Sequence, residues 1–529
     1  MGRARPPLLV VSSITAALFA APLIYLLLRS ASDIGAFWST VLSGAALEPL
    51  VRSLLLASTV AAAAAAVGTT AAWVVVRTDI PLARVWRVLL PLPLVIPSFI
   101  GAFVMLAAFA PGGLVEAALR PLGVDRIATI DGFAGSFMVL TLFTYPYVYL
   151  PVSARLRQLP SSFEESARLL GRRPLMTFFE VVLPQARGAV LAGSLLVFLY
   201  VVSDFGVVQL MRYDTLTRSI YSTRLIDRTT SVSLSLLLGL VAIGVVALER
   251  VFTRGLRGAD VRREVRPLGI ILGRWKAPTL ASMALLVGLT LAAPVGVLAW
   301  WSTRGLVRGS TTASDLATDI GDLVGPLANT SLASVAASTI AVAVVIPVVY
   351  LTVRYRSRIG GLANGVVVGG FALPGLAIAL ALVYWTIDAP AYVSAFYQTL
   401  PLLLLAYVVH FGAQAMRASQ VALSSVPRAM EDAARVLGVS RIGRFFRVEL
   451  PLMRPGLLAG GGLVLLSTMK ELPATLLLAP IGFQTLAVRI WTATESAFFA
   501  DASLASLVLI LLSGFLTWLL VIRRSEALI

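Results

Sequence analysis

Apolar residues run in blocks of about twenty along the whole chain, with short polar stretches between them. Wound as a helix, a block of that length crosses the hydrocarbon core of a bilayer. The pattern predicts about 12 spans. Six lie near 8–29, 50–76, 86–110, 134–154, 187–211 and 231–252; six more lie near 277–301, 326–353, 361–386, 397–419, 455–479 and 501–522. The expected class is all-α, a polytopic membrane protein. The first block follows Arg3 and Arg5 and resembles a signal peptide. It is long enough to span, and no clear small-x-small cleavage site follows it, so an uncleaved first span is expected.

Composition agrees. Of 529 residues, 58% are hydrophobic and only 13% charged, with mean hydropathy +0.90. A soluble protein of this size needs about a quarter of its residues charged, so lipid must solvate much of this surface. The net charge of +17 does not indicate nucleic acid, because the arginines cluster in short runs between apolar blocks, the positive-inside pattern. Basic stretches occur at the N-terminus, at 155–187, at 250–276, at 417–454 and at the tail with Arg523 and Arg524. All follow an even number of spans and so share one side, which places both termini in the cytoplasm. One loop conflicts with this: 212–228 belongs outside, yet carries Arg212, Arg218, Arg224 and Arg228.

The residue inventory excludes several chemistries. Cysteine is absent, which removes disulfides, thiolate metal sites and cysteine nucleophiles. The single histidine, His410, makes a histidine metal cage or a histidine-based triad untenable. The two lysines, Lys276 and Lys470, follow no phosphate-binding glycine loop. If ATP drives this protein, another chain hydrolyses it.

The chain also repeats itself. Glu164-Glu165-Ser166-Ala167-Arg168-Leu169-Leu170-Gly171 recurs 267 positions on as Glu431-Asp432-Ala433-Ala434-Arg435-Val436-Leu437-Gly438. The same offset joins Phe178-Phe179 to Phe445-Phe446 and Leu183-Pro184 to Leu450-Pro451. Upstream, Arg77 and Pro97 match Arg354 and Pro374 at an offset of 277. Six spans separate the copies, so the halves run parallel. The expected divisions are a first half at 1–252, a cytoplasmic linker at 253–275 and a second half at 276–529.

Each copy places a polar insertion between two spans. Its pattern predicts a short helix, a glycine turn at Gly171 or Gly438, and a second helical stretch ending at Leu-Pro. Pro160 and Pro427 suit a first helical turn, and Ser161 with Glu164 fits a capping box. Glu164, Glu165, Glu431 and Asp432 sit near helix N-termini, where carboxylates are favoured. The Phe pairs put apolar knobs on a cytoplasmic surface, which then wants a partner. Without a partner, the same pattern describes an amphipathic interfacial helix.

Two acids fall at apolar depth. Asp204 in Ser203-Asp204-Phe205-Gly206 and Glu471 in Lys470-Glu471-Leu472-Pro473 are equivalent at the 267 offset. An ionisable group inside a span marks function by default, and oxygen ligands suit hard cations. Asp204 and Glu471 are therefore the candidate substrate-path and metal-contact residues, facing each other across a pseudo-twofold pore. Alternatively they are structural, with Glu471 paired to Lys470 or both acids near the membrane surface. His410 reads as a hydrogen-bonded bundle residue.

The duplicated insertion resembles the EAA loop of binding-protein-dependent ABC importer permeases. That resemblance implies the type I importer permease fold, with each loop's helix fitted into a groove on a nucleotide-binding subunit. Carried over by position, the coupling residues are Glu165, Ala167 and Gly171, then Asp432, Ala434 and Gly438, flanked by Glu164, Pro184, Glu431 and Pro451. Ser166 and Asp432 depart from the family's letters. "SDFGVVQL…TLTRSIY", "MKELPATLLLAPIGFQTLAVRIW" and "PLPLVIPSFIGA" extend the resemblance to the fused permeases of ferric-iron importers; similar fused permeases carry thiamine or aminoethylphosphonate. The resemblance implies two copies of an ATPase subunit holding ATP and Mg, an extracytoplasmic substrate-binding protein, a cell inner-membrane location, no cofactor on this chain and alternating access. An ion-coupled secondary transporter is the competing class, and an integral-membrane enzyme a third.

Overall fold

A computed structural model describes residues 6–122, 129–160, 162–254, 269–307 and 320–519. Ser161, the basic linker between 255 and 268, and the arginines at both extreme ends lie outside the described residues. Among the described residues the secondary structure is helical, with one isolated bridge between Thr78 and Ile270. Among the described residues, eleven helices are long and apolar enough to cross a membrane, and one bent pair brings the number to twelve if it is taken as one span.

That bent pair, Arg358–Gly370 and Gly375–Asp388, turns by 106° where a single span at 361–386 is expected. Pro374 is the cause. Its ring fixes φ at −59° and its nitrogen has no proton to donate, so the first helix stops and a second starts after it. In the other half, Pro97 stands at the equivalent point with φ −57°. There the expected span at 86–110 is broken into Ala83–Leu89, Leu92–Val95 and Ser98–Phe109.

The chain folds into two compact units, and each unit draws on both sequence halves. One contains Leu42–Ser219 and Gly244–Leu316. Its centre is built by Gly44–Arg77, the span Gly132–Gln158 and Leu183–Ser203. Close approach depends on glycine: a Cβ on Gly68 would lie 2.7 Å from the Tyr145 carbonyl oxygen, and one on Gly193 would lie 2.7 Å from the Val148 Cα. Helix Ala293–Val307 packs on Ser98–Phe109, where the Trp301 indole N–H donates to the Ala107 carbonyl at 3.0 Å.

The other unit contains Met1–Val41, Ile220–Ile243 and Ala317–Ile529. Val324–Val353, Leu400–Ser424 and Leu450–Met469 form its centre, and Pro6–Ser32 packs on Arg358–Gly370. Gly456 and Gly460 each lie so close to an alanine of the neighbouring helix that a Cβ would come within 2.6 Å of Ala422 or Ala418. Small residues at the seam let backbones approach, which is how helices gain contact when lipid removes the hydrophobic drive between them. Large apolar side chains such as Leu28, Val51 and Leu511 stay exposed on helix surfaces, as a lipid solvent permits.

Three of the four arginines of the 212–228 loop have partners on neighbouring residues. Arg218 pairs with Asp214, which also meets Arg52. The Arg224 guanidinium lies 3.5 Å from the Tyr221 ring centroid. Arg228 pairs with Asp388 and donates to the Tyr25 hydroxyl. Arg218, Arg224 and Arg228 are thus each held by a partner within the chain.

Candidate functional site: two equivalent short helices and two equivalent acids

The first insertion forms helix Ser162–Leu169 and the second forms Arg428–Val436. Both end as expected. Gly171 has φ +80° and Gly438 has φ +75°. The Arg172 N–H reaches back to the Ala167 carbonyl at 3.1 Å, and the Val439 N–H to the Ala434 carbonyl at 3.0 Å. These are the six-to-one bonds of a glycine-terminated helix. No atom lies within 4 Å of a Cβ built on either glycine, so backbone conformation and not room selects the residue.

The prolines sit differently from the expectation. Pro427 is the N-cap of its helix, and Pro160 precedes Ser162–Leu169, so neither occupies the first turn. Only half of the aromatic knobs face outward. Phe179 and Phe446 are exposed. Phe178 turns onto Trp73 with ring centroids 5.2 Å apart, and Phe445 turns onto Tyr350 at 6.1 Å. The outer surface is instead completed by Leu169 and Leu170 in one copy and by Val436 and Leu437 in the other, all four at least 80% exposed.

The carboxylates divide into two roles. Glu165 and Asp432 are exposed, whereas Ala167 and Ala434 pack inward. Glu164 is buried, and its carboxylate lies 3.0 Å from the Arg77 guanidinium at the end of helix Gly44–Arg77. Glu431 pairs in the same way with Arg354, just past the end of Val324–Val353. Burial pushes the Glu164 carboxyl above its usual range and Arg77 pulls it back in part. Glu431 is shifted the same way by burial, with Arg354 opposing. Sequence spacing gave no sign of these pairs beyond the recurrence of Arg77 as Arg354.

Pro184 and Pro451 occupy the second position of Leu183–Ser203 and Leu450–Met469. A wide π turn precedes each, Phe178–Val182 and Phe445–Glu449, closed by a bond from the Leu183 N–H to the Phe178 carbonyl and from the Leu450 N–H to the Phe445 carbonyl. A proline ring clashes with the carbonyl four residues back in an ordinary helix; widening the turn relieves that clash. The same device recurs at Gly288–Ala292, ahead of Pro294.

The two acids stand at matching breaks. Helix Leu183–Ser203 stops at Asp204, and Leu450–Met469 stops just before Lys470-Glu471. Asp204 accepts from the Ser98 hydroxyl at 2.7 Å and from the Val207 N–H at 2.8 Å. Glu471 accepts from the Ala474 N–H at 3.2 Å, the equivalent backbone bond. The other partner differs. The counterpart of Ser98 is Gly375, where a Cβ would meet the Glu471 carboxylate at 2.7 Å. Glu471 has His410 instead, with 4.0 Å between Nε2 and the carboxylate oxygen. His410 is thus a neighbour of the second acid, an arrangement its isolated place in the sequence did not reveal. Among the described residues, no three histidine, aspartate or glutamate side chains gather as a metal-binding group.

Comparison with known proteins agrees with this geometry. The family described as "Binding-protein-dependent transport system inner membrane component" matches residues 64–258 and again 340–525, and each match includes one of the two short helices. The chain is 29% identical over 508 residues to the Fe(3+)-transport system permease protein FbpB 2 of Haemophilus influenzae, covering 94% of each chain. It is 30% identical over 235 residues to the molybdenum transport system permease protein ModB of Mycobacterium bovis, covering 43% of this chain and 86% of that one. A sulfate transport system permease protein, CysT of Synechocystis, is 26% identical over 191 residues. With two copies of the family's region filling most of its length, the chain belongs to the inner-membrane components of binding-protein-dependent transport systems, with both permease halves fused in one polypeptide.

Proposed function

We propose that this chain is the complete transmembrane pathway of an ATP-driven importer for ferric iron. A substrate-binding protein delivers the cargo from outside, and two copies of a separate ATPase subunit, which hold ATP and Mg, engage the two coupling helices. The observation that carries the cargo is the relative that shares the fused, two-half architecture end to end. The relative named for Fe(3+) aligns with 94% of the chain, whereas those named for molybdenum and sulfate align with 43% and 36%. Thiamine and aminoethylphosphonate are tested as competitors in the same uptake assay.

The coupling surface supports the ATPase part of the proposal. On each short helix the exposed carboxylate, Glu165 or Asp432, stands beside exposed Leu169-Leu170 or Val436-Leu437. Gly171 and Gly438 end these helices, and Pro184 and Pro451 join them to the following spans. Movement of the ATPase dimer displaces both helices and biases a two-state bundle between its conformations. The division into halves at 1–252 and 276–529 about a linker at 253–275 follows from the sequence repeat, and cytoplasmic termini follow from the basic loops. An ion-coupled secondary transporter needs neither a binding protein nor these helices.

Asp204 and Glu471 are proposed to line the substrate path. Asp204 accepts from a hydroxyl and a backbone donor, one on each oxygen, whereas Glu471 accepts from a backbone donor only, so Glu471 keeps more acceptor sites for a cargo. Glu471→Ala is expected to lower ferric uptake at least about tenfold, an effect of about 1.4 kcal/mol, with ATPase co-purification unchanged. Uptake at the wild-type rate in that variant assigns Glu471 a structural role. For the proposal as a whole, the chain is purified with its ATPase and its binding protein and reconstituted in vesicles. ATP-dependent radio-iron uptake is expected, and thiamine accumulation without iron uptake contradicts the cargo.

A further inference from the structure

Arg77 and Arg354 occupy equivalent places, and each touches three parts of the chain. Arg77 is completely buried at the last turn of Gly44–Arg77. One guanidinium nitrogen donates to the Leu156 carbonyl at 2.8 Å and the Leu159 carbonyl at 3.1 Å. Another lies 3.0 Å from Glu164 on the coupling helix. Arg354 repeats the arrangement: it donates to the Val426 carbonyl at 3.0 Å and pairs with Glu431. Leu156 and Leu159 lie at the end of the preceding span, and Val426 in the bend before the second coupling helix. Each guanidinium thus ties together the end of one span, the exit of a later one and the short helix that follows that exit.

A planar fork with five donors can hold a carboxylate and backbone carbonyls together, which a lysine ammonium on a flexible stem does less well. The carbonyls concerned belong to a helix end and to the turn after it, where the regular helical pairing stops; that of Leu156 also accepts from the Leu159 N–H at 3.4 Å. Removing either partner of a buried pair leaves a charge without compensation. The two copies differ in their surroundings. Around Arg354, Tyr350 and Arg444 both bind Glu449. At the matching positions of the first half stand Trp73, Thr177 and Val182. The arginine-carboxylate tie is common to both copies while the surrounding polar network is not, so the tie is the shared working part.

We propose that Arg77 and Arg354 are positioning residues that convert movement of each coupling helix into movement of two membrane spans. They do so through the buried carboxylate of Glu164 and the partly buried one of Glu431, without touching ATP or cargo. This rests on the importer reading above. A strap of this kind makes the short helix and both span ends move as one body. Cutting it leaves the short helix able to hold its ATPase but unable to pull on the spans.

The test uses the full chain with the ATPase that co-purifies with it, reconstituted with the binding protein in vesicles. Ferric uptake and ATP hydrolysis are measured together in wild type, Arg77→Gln, Arg354→Gln and Arg77→Lys. The expected result for each Gln variant is ATPase retention within about twofold of wild type and a fall of about tenfold or more in iron moved per ATP hydrolysed. Arg77→Lys, which keeps the charge and loses the fork, is expected to fall between. A purely structural role lowers yield and both rates in proportion, so an unchanged uptake-to-hydrolysis ratio in the Gln variants overturns the proposal. Should Arg77→Gln fail to fold, Glu164→Gln keeps the volume and a hydrogen-bonding amide, and the same fall in ratio is expected from it. A wild-type chain that retains no ATPase overturns the importer reading itself. Normal wild-type coupling with an unchanged ratio in the variants overturns the strap alone.

Discussion

Gly171 and Gly438 show how much one residue's backbone preference decides. A left-handed conformation costs a side chain about 1–2 kcal/mol, and the space around both glycines is open. Gly171→Ala and Gly438→Ala are therefore expected to fold, with a local penalty of about 1 kcal/mol at the end of each coupling helix. Hydrogen exchange across residues 162–172 and 428–439 checks this: faster exchange confined to the altered copy is expected, and unaltered exchange contradicts it. These glycine turns were legible in the sequence because glycine at the end of a short polar helix has few other uses. The Arg77–Glu164 tie was not, because the partners are far apart along the chain and each alone reads as an ordinary loop charge. The inward turn of Phe178 and Phe445 was equally hidden, since a Phe-Phe pair does not say which ring finds an aromatic partner in another helix.

Among the elements, the π turns ahead of Pro184, Pro451 and Pro294 are the least ordinary. Each adds a residue to one turn and so rotates everything before it relative to the span after it. Pro451→Ala restores a backbone N–H and removes the clash that holds the turn open. The variant is expected to be made in normal amounts yet lose ferric uptake by fivefold or more, since the coupling helix then faces another way. Uptake within twofold of wild type contradicts this. A second element-level case is the segment after the linker. Asp79 accepts from the Leu272 N–H and pairs with Lys276 at 3.0 Å, and these contacts hold its carboxyl below the usual range, the backbone bond most strongly. A depressed carboxyl stabilises above its unfolded pKa and loses that contribution as pH falls through its folded value. Limited proteolysis near residue 270 is therefore expected to accelerate below about pH 4 in wild type and to be fast at neutral pH in Asp79→Asn. Identical, pH-independent cleavage in both contradicts the assignment. Hydropathy located the spans well, but the breaks at Pro97 and Pro374 were read through, since a single proline inside a long apolar run leaves the average hydropathy unchanged.

For the whole molecule, the repeat and the family are written in the sequence, while the exchange of segments between compact units is not. Residues 1–41 join a unit made mostly of 317–529, and 244–316 join the unit made mostly of 42–219. Periodicity and charge say how many spans exist and which side their loops favour; they carry no record of which helix packs on which. The functional account rests on the two coupling helices sharing one side of the membrane and being covered there by an ATPase. The absence of native cysteine makes this directly measurable with single-cysteine variants at exposed sites. Leu170→Cys and Leu437→Cys report on the coupling surface, and Ile226→Cys and Ile481→Cys on the loops expected outside. With a membrane-impermeant maleimide, the first two are predicted to be silent in intact spheroplasts, to react in inverted vesicles stripped of the ATPase, and to be protected when it is rebound, while the last two react in spheroplasts. Labelling of 170 and 437 from opposite sides, or no protection by the ATPase at either position, contradicts the account.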